Sequence, residues 1–120
     1  QLSGEGQSVG IGVRAIQEPD PHKWFIVMKH LSSDGRTIHG GVVETNMIFN
    51  PYPSNTAIIM IERTGSLFSS SYSPQGGNFI PLNKDLILEM PNNAEIFLFV
   101  YSTYNEGLVG QFNDFLITLK

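Results

Sequence analysis

Glu95-Ile-Phe-Leu-Phe-Val-Tyr-Ser102 is eight residues of aromatic and β-branched character, bounded upstream by Pro91-Asn-Asn93 and downstream by Asn105-Glu-Gly107. The run is too short for an amphipathic helix and has the composition and flanking turn chemistry of a strand. Strand alternation places Phe97, Phe99 and Tyr101 on one face and Ile96, Leu98 and Val100 on the other. Residues 112–119 repeat the character after a gap that holds Asn105-Glu-Gly107 and Gly110, so the two segments read as a hairpin.

The rest of the chain follows the same rule. In residues 8–16, Val9, Ile11, Val13 and Ala15 alternate with Ser8, Gly10, Gly12 and Arg14, the period of two that turns one apolar face inward. Glu18-Pro-Asp-Pro-His22 breaks any ladder and reads as a loop. In residues 24–31, Trp24, Ile26 and Met28 oppose Phe25, Val27 and Leu31, and two apolar faces predict a central, covered strand. Ser32-Ser-Asp-Gly35 is a turn in which Gly35 is free to take positive φ.

A third strand is predicted over residues 42–49, and the continuous apolar run Thr56-Ala-Ile-Ile-Met-Ile-Glu62 is expected in mid-sheet. Residues 65–78, rich in Ser and Gly, read as a mobile loop with at most a short edge strand over 66–70. Residues 81–91 carry a faint helical pattern, although Leu86, Ile87 and Leu88 suit a short strand as well. Seven or eight short strands with turn signals every ten residues or so predict an all-β fold, a single antiparallel β-sandwich of about eight strands spanning residues 1–120. The first and last strands are expected to pair or face each other.

Composition narrows the function. A chain of 120 residues is one domain by length. It has no cysteine, so disulfides and thiolate metal sites are excluded. A net charge of −4, with seven scattered Lys and Arg, argues against nucleic acid, which needs clustered cations to displace counterions. No apolar run approaches the roughly 18 residues of a membrane-spanning helix, and a soluble domain is expected. The chain begins at Gln1, which suggests a processed product or a piece of a longer polypeptide, and its compartment stays open.

No catalytic motif is evident. His22, His30 and His39 are spaced by eight and nine residues, which matches no familiar ligand motif, and ordinary surface or hydrogen-bonded histidines are expected. No cofactor is expected. Calcium is the candidate ion, with Glu18, Asp20, Asp34 and Glu106 as oxygen ligands from loops at one end of a sandwich. Among the aromatic residues, Tyr52, Tyr72 and Tyr104 are the candidate contact residues, because Tyr52 and Tyr72 fall in predicted loops, where an exposed ring can anchor a partner.

The C-terminal third, through Leu88-Glu-Met-Pro91, residues 95–107, Gly110-Gln-Phe112 and Phe115-Leu-Ile-Thr-Leu119, resembles the end of the β-sandwich domain that follows the protease core in calpains. It is similar also to the prepeptidase C-terminal domains of secreted bacterial proteases. The resemblance covers the last 33 residues or so and implies an eight-stranded, non-catalytic sandwich acting as an attachment, regulatory, or lipid- and calcium-contacting module. The acidic loop of the calpain domain has no equivalent here.

The function expected from these readings is a non-catalytic binding module, not an enzyme, that contacts a protein partner or an adjacent domain of a larger protein such as a protease. A carbohydrate-binding module, a calcium-dependent lipid-binding module and a hydrolase with a site dispersed around the three histidines are the alternatives.

Overall fold

Alternating apolar residues fold this chain into eight strands in two antiparallel sheets, with no α-helix among the described residues. The structure is a computed structural model that describes residues 6–32, 35–54, 56–102, 112 and 116–117. The strands are β1 (Gln7–Ala15), β2 (Phe25–Ser32), β3 (Gly35–Val42), β4 (Asn46–Pro51), β5 (Ile58–Thr64), β6 (Leu67–Ser73), β7 (Ile80–Ile87) and β8 (Ala94–Ser102). One sheet has the order β4-β3-β2-β1-β8 and the other β5-β6-β7. A short 3-10 turn over Pro21–Lys23 precedes β2, capped by the Asp20 side chain, which accepts from the His22 N–H at 3.0 Å.

The smaller sheet packs over β2, β3 and β4. Between the layers, one cluster gathers Val27, Ile38, Tyr52, Tyr72 and Leu82, and a second gathers Phe25, Val42 and Phe68. Phe25 and Phe68 stack with ring centroids 5.0 Å apart and are fully buried. Each contributes on the order of 2–3 kcal/mol of transfer free energy.

Arg63 fastens the crossing back to the larger sheet by donating from Nη2 to the carbonyls of Met90 and Pro91 at 2.8 and 2.7 Å. Gly41, at φ +136, allows β4 to turn in beside β3, because a Cβ there would lie 1.8 Å from the Asn46 carbonyl oxygen.

The sandwich and the central place of β2 match the sequence reading, as does the positive φ of Gly35. β1 pairs along its whole length with β8, the last strand among the described residues. The second arm of the terminal hairpin, at 112–119, lies for the most part outside the described residues.

Three expectations are corrected, and the two readings left open for residues 81–91 resolve to a strand. The single strand expected at 42–49 is two strands, β3 and β4, broken at 43–45, where Glu44 adopts φ +62 and Thr45 N–H donates to the Val42 carbonyl. β5 lies at an edge, not in mid-sheet, and the Ser-rich segment expected as a loop supplies β6, the middle strand of its sheet. Of the helical and strand readings of this segment, the strand holds over residues 80–87, and Asp85, at φ +51, accompanies the register shift between β6 and β7.

Candidate functional site

Register fixes what the larger sheet presents on the face turned away from the second layer. Across its centre run Phe49, His39, Met28, Gly10 and Phe99, one from each strand. The next row reads Pro51, Thr37, His30, Ser8 and Tyr101. On the other side of the centre lie Met47, Gly41, Ile26, Gly12 and Phe97. This outer face is aromatic on its flanks, and between them Gly10, Gly12 and Gly41 leave gaps among the larger residues of β2 and β3. Phe97 lies over Gly12 so closely that a Cβ there would sit 2.4 Å from the ring. Arg14 closes this end, its guanidinium 4.6 Å from the Phe97 centroid and 5.0 Å from that of Trp24.

Two of the three histidines meet on this face. The β2–β3 register sets His30 opposite Thr37 and Met28 opposite His39, and the imidazole centroids of His30 and His39 are 5.2 Å apart. Ser8 Oγ and His30 Nδ1 are hydrogen-bonded at 2.7 Å, as are Thr37 Oγ1 and His39 Nε2. Phe49 stacks on the far side of His39 at 5.3 Å. Burial, followed by the neighbouring His30, pushes His39 down to about 4, and burial lowers His30 as well. Both rings are therefore neutral near pH 7.

His22 does not join them. Its Nε2 lies 3.0 Å from Glu44 Oε2 in the β3–β4 turn and its Nδ1 lies 3.3 Å from Asp20 Oδ1. The hydrogen bond to Glu44, aided by the Asp20 charge, raises its pKa.

The exposed tyrosines expected from sequence are core residues. Tyr52 is 4 % and Tyr72 5 % exposed, with ring centroids 5.5 Å apart, edge to face. Tyr52 follows β4 directly, its N–H donates to the Arg36 carbonyl, and its hydroxyl donates to the Thr56 carbonyl, which together hold the ring inward. Tyr72 belongs to β6 and its hydroxyl accepts from Asn50 Nδ2 at 3.2 Å. Neither ring is available to a ligand. Tyr104, the third candidate contact, lies outside the described residues.

Of the four carboxylates considered for calcium, Asp34 and Glu106 also lie outside the described residues. Glu18 and Asp20 are used locally: Glu18 Oε2 accepts from the Asp20 N–H, and Glu18 Oε1 lies 3.9 Å from Lys23 Nζ. Among the described residues, no group of three or more His, Asp or Glu side chains is arranged to hold a metal ion.

Sequence reasoning gave no weight to the inward face of β8. Ile96, Leu98 and Val100 pair with Val13, Ile11 and Val9 and so point to the side on which the second layer lies. They remain 47 %, 46 % and 46 % exposed, because β5–β7 cover β2 to β4 and stop short of β8. The alternation of residues 95–102 already separated these three from Phe97 and Phe99. It could not show that the covering sheet is two strands narrower.

Comparison with protein-family models, with curated proteins and with solved structures finds no match. Among the described residues, no helix is long and apolar enough to cross a membrane.

Proposed function

We propose that this chain is a non-catalytic interaction module that docks an apolar polypeptide surface, of a partner protein or of a neighbouring domain, on the inward face of β8. The observation that carries the reading is the strip of Ile96, Leu98 and Val100, three successive core-facing positions left about half exposed. An isolated exposed aliphatic residue is unremarkable, whereas a row in one register on the layer-facing side of a sheet is surface built to be covered. The resemblance of the C-terminal third to the sandwich that follows the calpain protease core supports an accessory role within a larger protein.

The test uses a photo-crosslinking amino acid placed at Leu98, or at the exposed Lys84 of β7 as a control, in the protein expressed in its own cells. The expected result is one discrete adduct with a second polypeptide from position 98 and none from position 84. With the probe moved to Ile96, the added substitution Leu98→Asp should remove the adduct. Adducts from both positions alike, none from either, or adducts only within the chain itself would overturn the reading.

A further inference from the structure

On the opposite face of the same sheet, we infer that Met28, His30 and His39 form a three-coordinate site for a soft monovalent metal ion, Cu(I). The register supplies the triangle. Met28 and His39 are directly opposed on β2 and β3, and His30 lies two residues beyond Met28 on the same face, diagonal to His39. Directly opposed residues carry Cβ atoms about 5 Å apart, within reach of one shared ion. All three side chains are partly exposed, so the site is open to an ion from solution.

The spacing of the rings fits one ion between them. An imidazole nitrogen binds a metal at about 2.0 Å, which places each ring centroid roughly 3 Å from the ion. Two such rings arranged trigonally have centroids roughly 5–6 Å apart, and those of His30 and His39 are 5.2 Å apart. Packing of neutral rings could give the same distance, but the hydrogen bonds add a second feature. Each ring is held through one nitrogen by a hydroxyl from a neighbouring residue of the same face, Ser8 on Nδ1 of His30 and Thr37 on Nε2 of His39.

In the tautomers where those nitrogens donate, Nε2 of His30 and Nδ1 of His39 carry lone pairs, and neither has a hydrogen-bond partner among the described residues. An oriented ring whose far nitrogen is held by an outer partner is the arrangement that metal-ligating histidines adopt.

The donor set selects the metal. The thioether is soft and the two imidazoles are borderline, a neutral set that favours Cu(I) over Mg²⁺, Ca²⁺ and Mn²⁺. No carboxylate falls in the rows of this face that hold the three residues, so nothing there offsets the second charge of Zn²⁺ or Cu²⁺. Phe49, stacked on His39, walls off one side of the site from water.

The test is competition for Cu(I) against a chromophoric chelator, bicinchoninate, under anaerobic ascorbate. The wild-type chain is expected to withdraw one equivalent of Cu(I). Met28→Leu should lower the affinity at least tenfold, and His30→Gln and His39→Gln by a hundredfold or so. Met28→Leu conserves volume, and a circular-dichroism melt of each variant separates lost ligation from lost fold. X-ray absorption of the copper-loaded chain should show two nitrogen scatterers at about 2.0 Å and one sulfur at about 2.3 Å. Wild-type competition no stronger than that of His30→Gln/His39→Gln, undiminished binding by Met28→Leu, or a preference for Zn²⁺ over Cu(I) would each overturn the assignment.

Discussion

Arg14 on β1 and Glu95 on β8 face each other in register, and the guanidinium Nε donates to Glu95 Oε1 across 2.6 Å. The same carboxylate oxygen accepts the Gln17 N–H at 3.1 Å, which ties the turn after β1 to the start of β8. These contacts, the Arg14 hydrogen bond foremost, hold the Glu95 carboxyl below the usual carboxylate range.

A depressed carboxylate pKa contributes stability that is complete above the unfolded value, near 4.3, and is lost as pH falls through the folded value. Glu95→Gln should therefore lower the urea midpoint at pH 7, with the gap to wild type closing towards pH 3. Trp24, the only tryptophan and 5.0 Å from the Arg14 guanidinium, reports the transition by fluorescence. A gap of the same size at pH 3 would show that the Glu95 charge plays no part.

Lys29 is an inward residue of β2 that sequence alternation assigns to the core face without a reason for its charge. It is almost wholly buried, its Nζ donates to the Ser54 carbonyl and lies 5.2 Å from the centroid of the Tyr52 ring. Burial, and after it the charge of Arg36, brings its pKa down to about 8. Below pH 8 the folded chain holds a buried ammonium, and between pH 8 and 10.5 the unfolded chain binds a proton that the folded chain has released. This group therefore opposes folding at neutral pH, and its penalty is relieved as pH rises through that window. Lys29→Met should raise stability at pH 7 by on the order of 1–2 kcal/mol and gain less at pH 10. A destabilised variant at pH 7 would show that the bond to Ser54 outweighs the cost of burying the charge.

Strands whose inward residues are large and aliphatic were legible from sequence. β1, β2, β5 and β8 announce themselves by alternation or by a continuous apolar run. β3 and β6 do not, because a small or polar residue interrupts their inward apolar positions: Gly40 between Ile38 and Val42 on β3, and Ser70, 3 % exposed, between Phe68 and Tyr72 on β6. The turn between β3 and β4 was hidden for a related reason, since Glu44 rather than glycine takes the positive φ. Missing β3 also hid the histidine pair. Once a hairpin is closed at Ser32–Gly35, antiparallel counting alone sets Met28 opposite His39 and His30 beside them. The Tyr52 and Tyr72 assignments failed because proline and serine neighbours mark turns without saying which way the ring points.

Gly40 shows why β3 resists a sequence reading. Opposite it, Ser70 Oγ donates to Asn83 Oδ1 at 2.6 Å and accepts the Asn83 N–H at 3.2 Å, a buried polar link between β6 and β7. A Cβ at position 40 would lie 2.6 Å from Ser70 Oγ, 2.7 Å from Asn83 Oδ1 and 3.1 Å from Leu82 Cδ1. The absence of a side chain there is what allows the two sheets to close over this link. Gly40→Ala should cost about 1–3 kcal/mol through overpacking, read as a fall in urea midpoint at constant slope. Gly77→Ala, where a Cβ meets nothing within 4 Å, is the control and should change little. Equal midpoints for the two variants would mean that the sheets can part locally at no cost.

His39 supplies the second acid-sensitive element, in a window separate from that of Glu95. Its unfolded pKa is near 6.5 and its folded pKa about 4, so across that interval the unfolded chain binds a proton that the folded chain refuses. Stability must therefore fall as pH drops from about 6.5 to about 4, by up to about 1.4 kcal/mol per pH unit. His30, also lowered by burial, adds to the same slope. The wild-type melting temperature should decline between pH 6.5 and pH 5, below the range in which His22, with its raised pKa, takes up its proton and before the Glu95 carboxylate begins to titrate. In His39→Gln the decline should be shallower. An NMR titration of the His39 ring that shows no chemical-shift change above pH 5 would agree, whereas a midpoint near 6.5 would mean that the ring is hydrated and that Phe49 and His30 do not desolvate it.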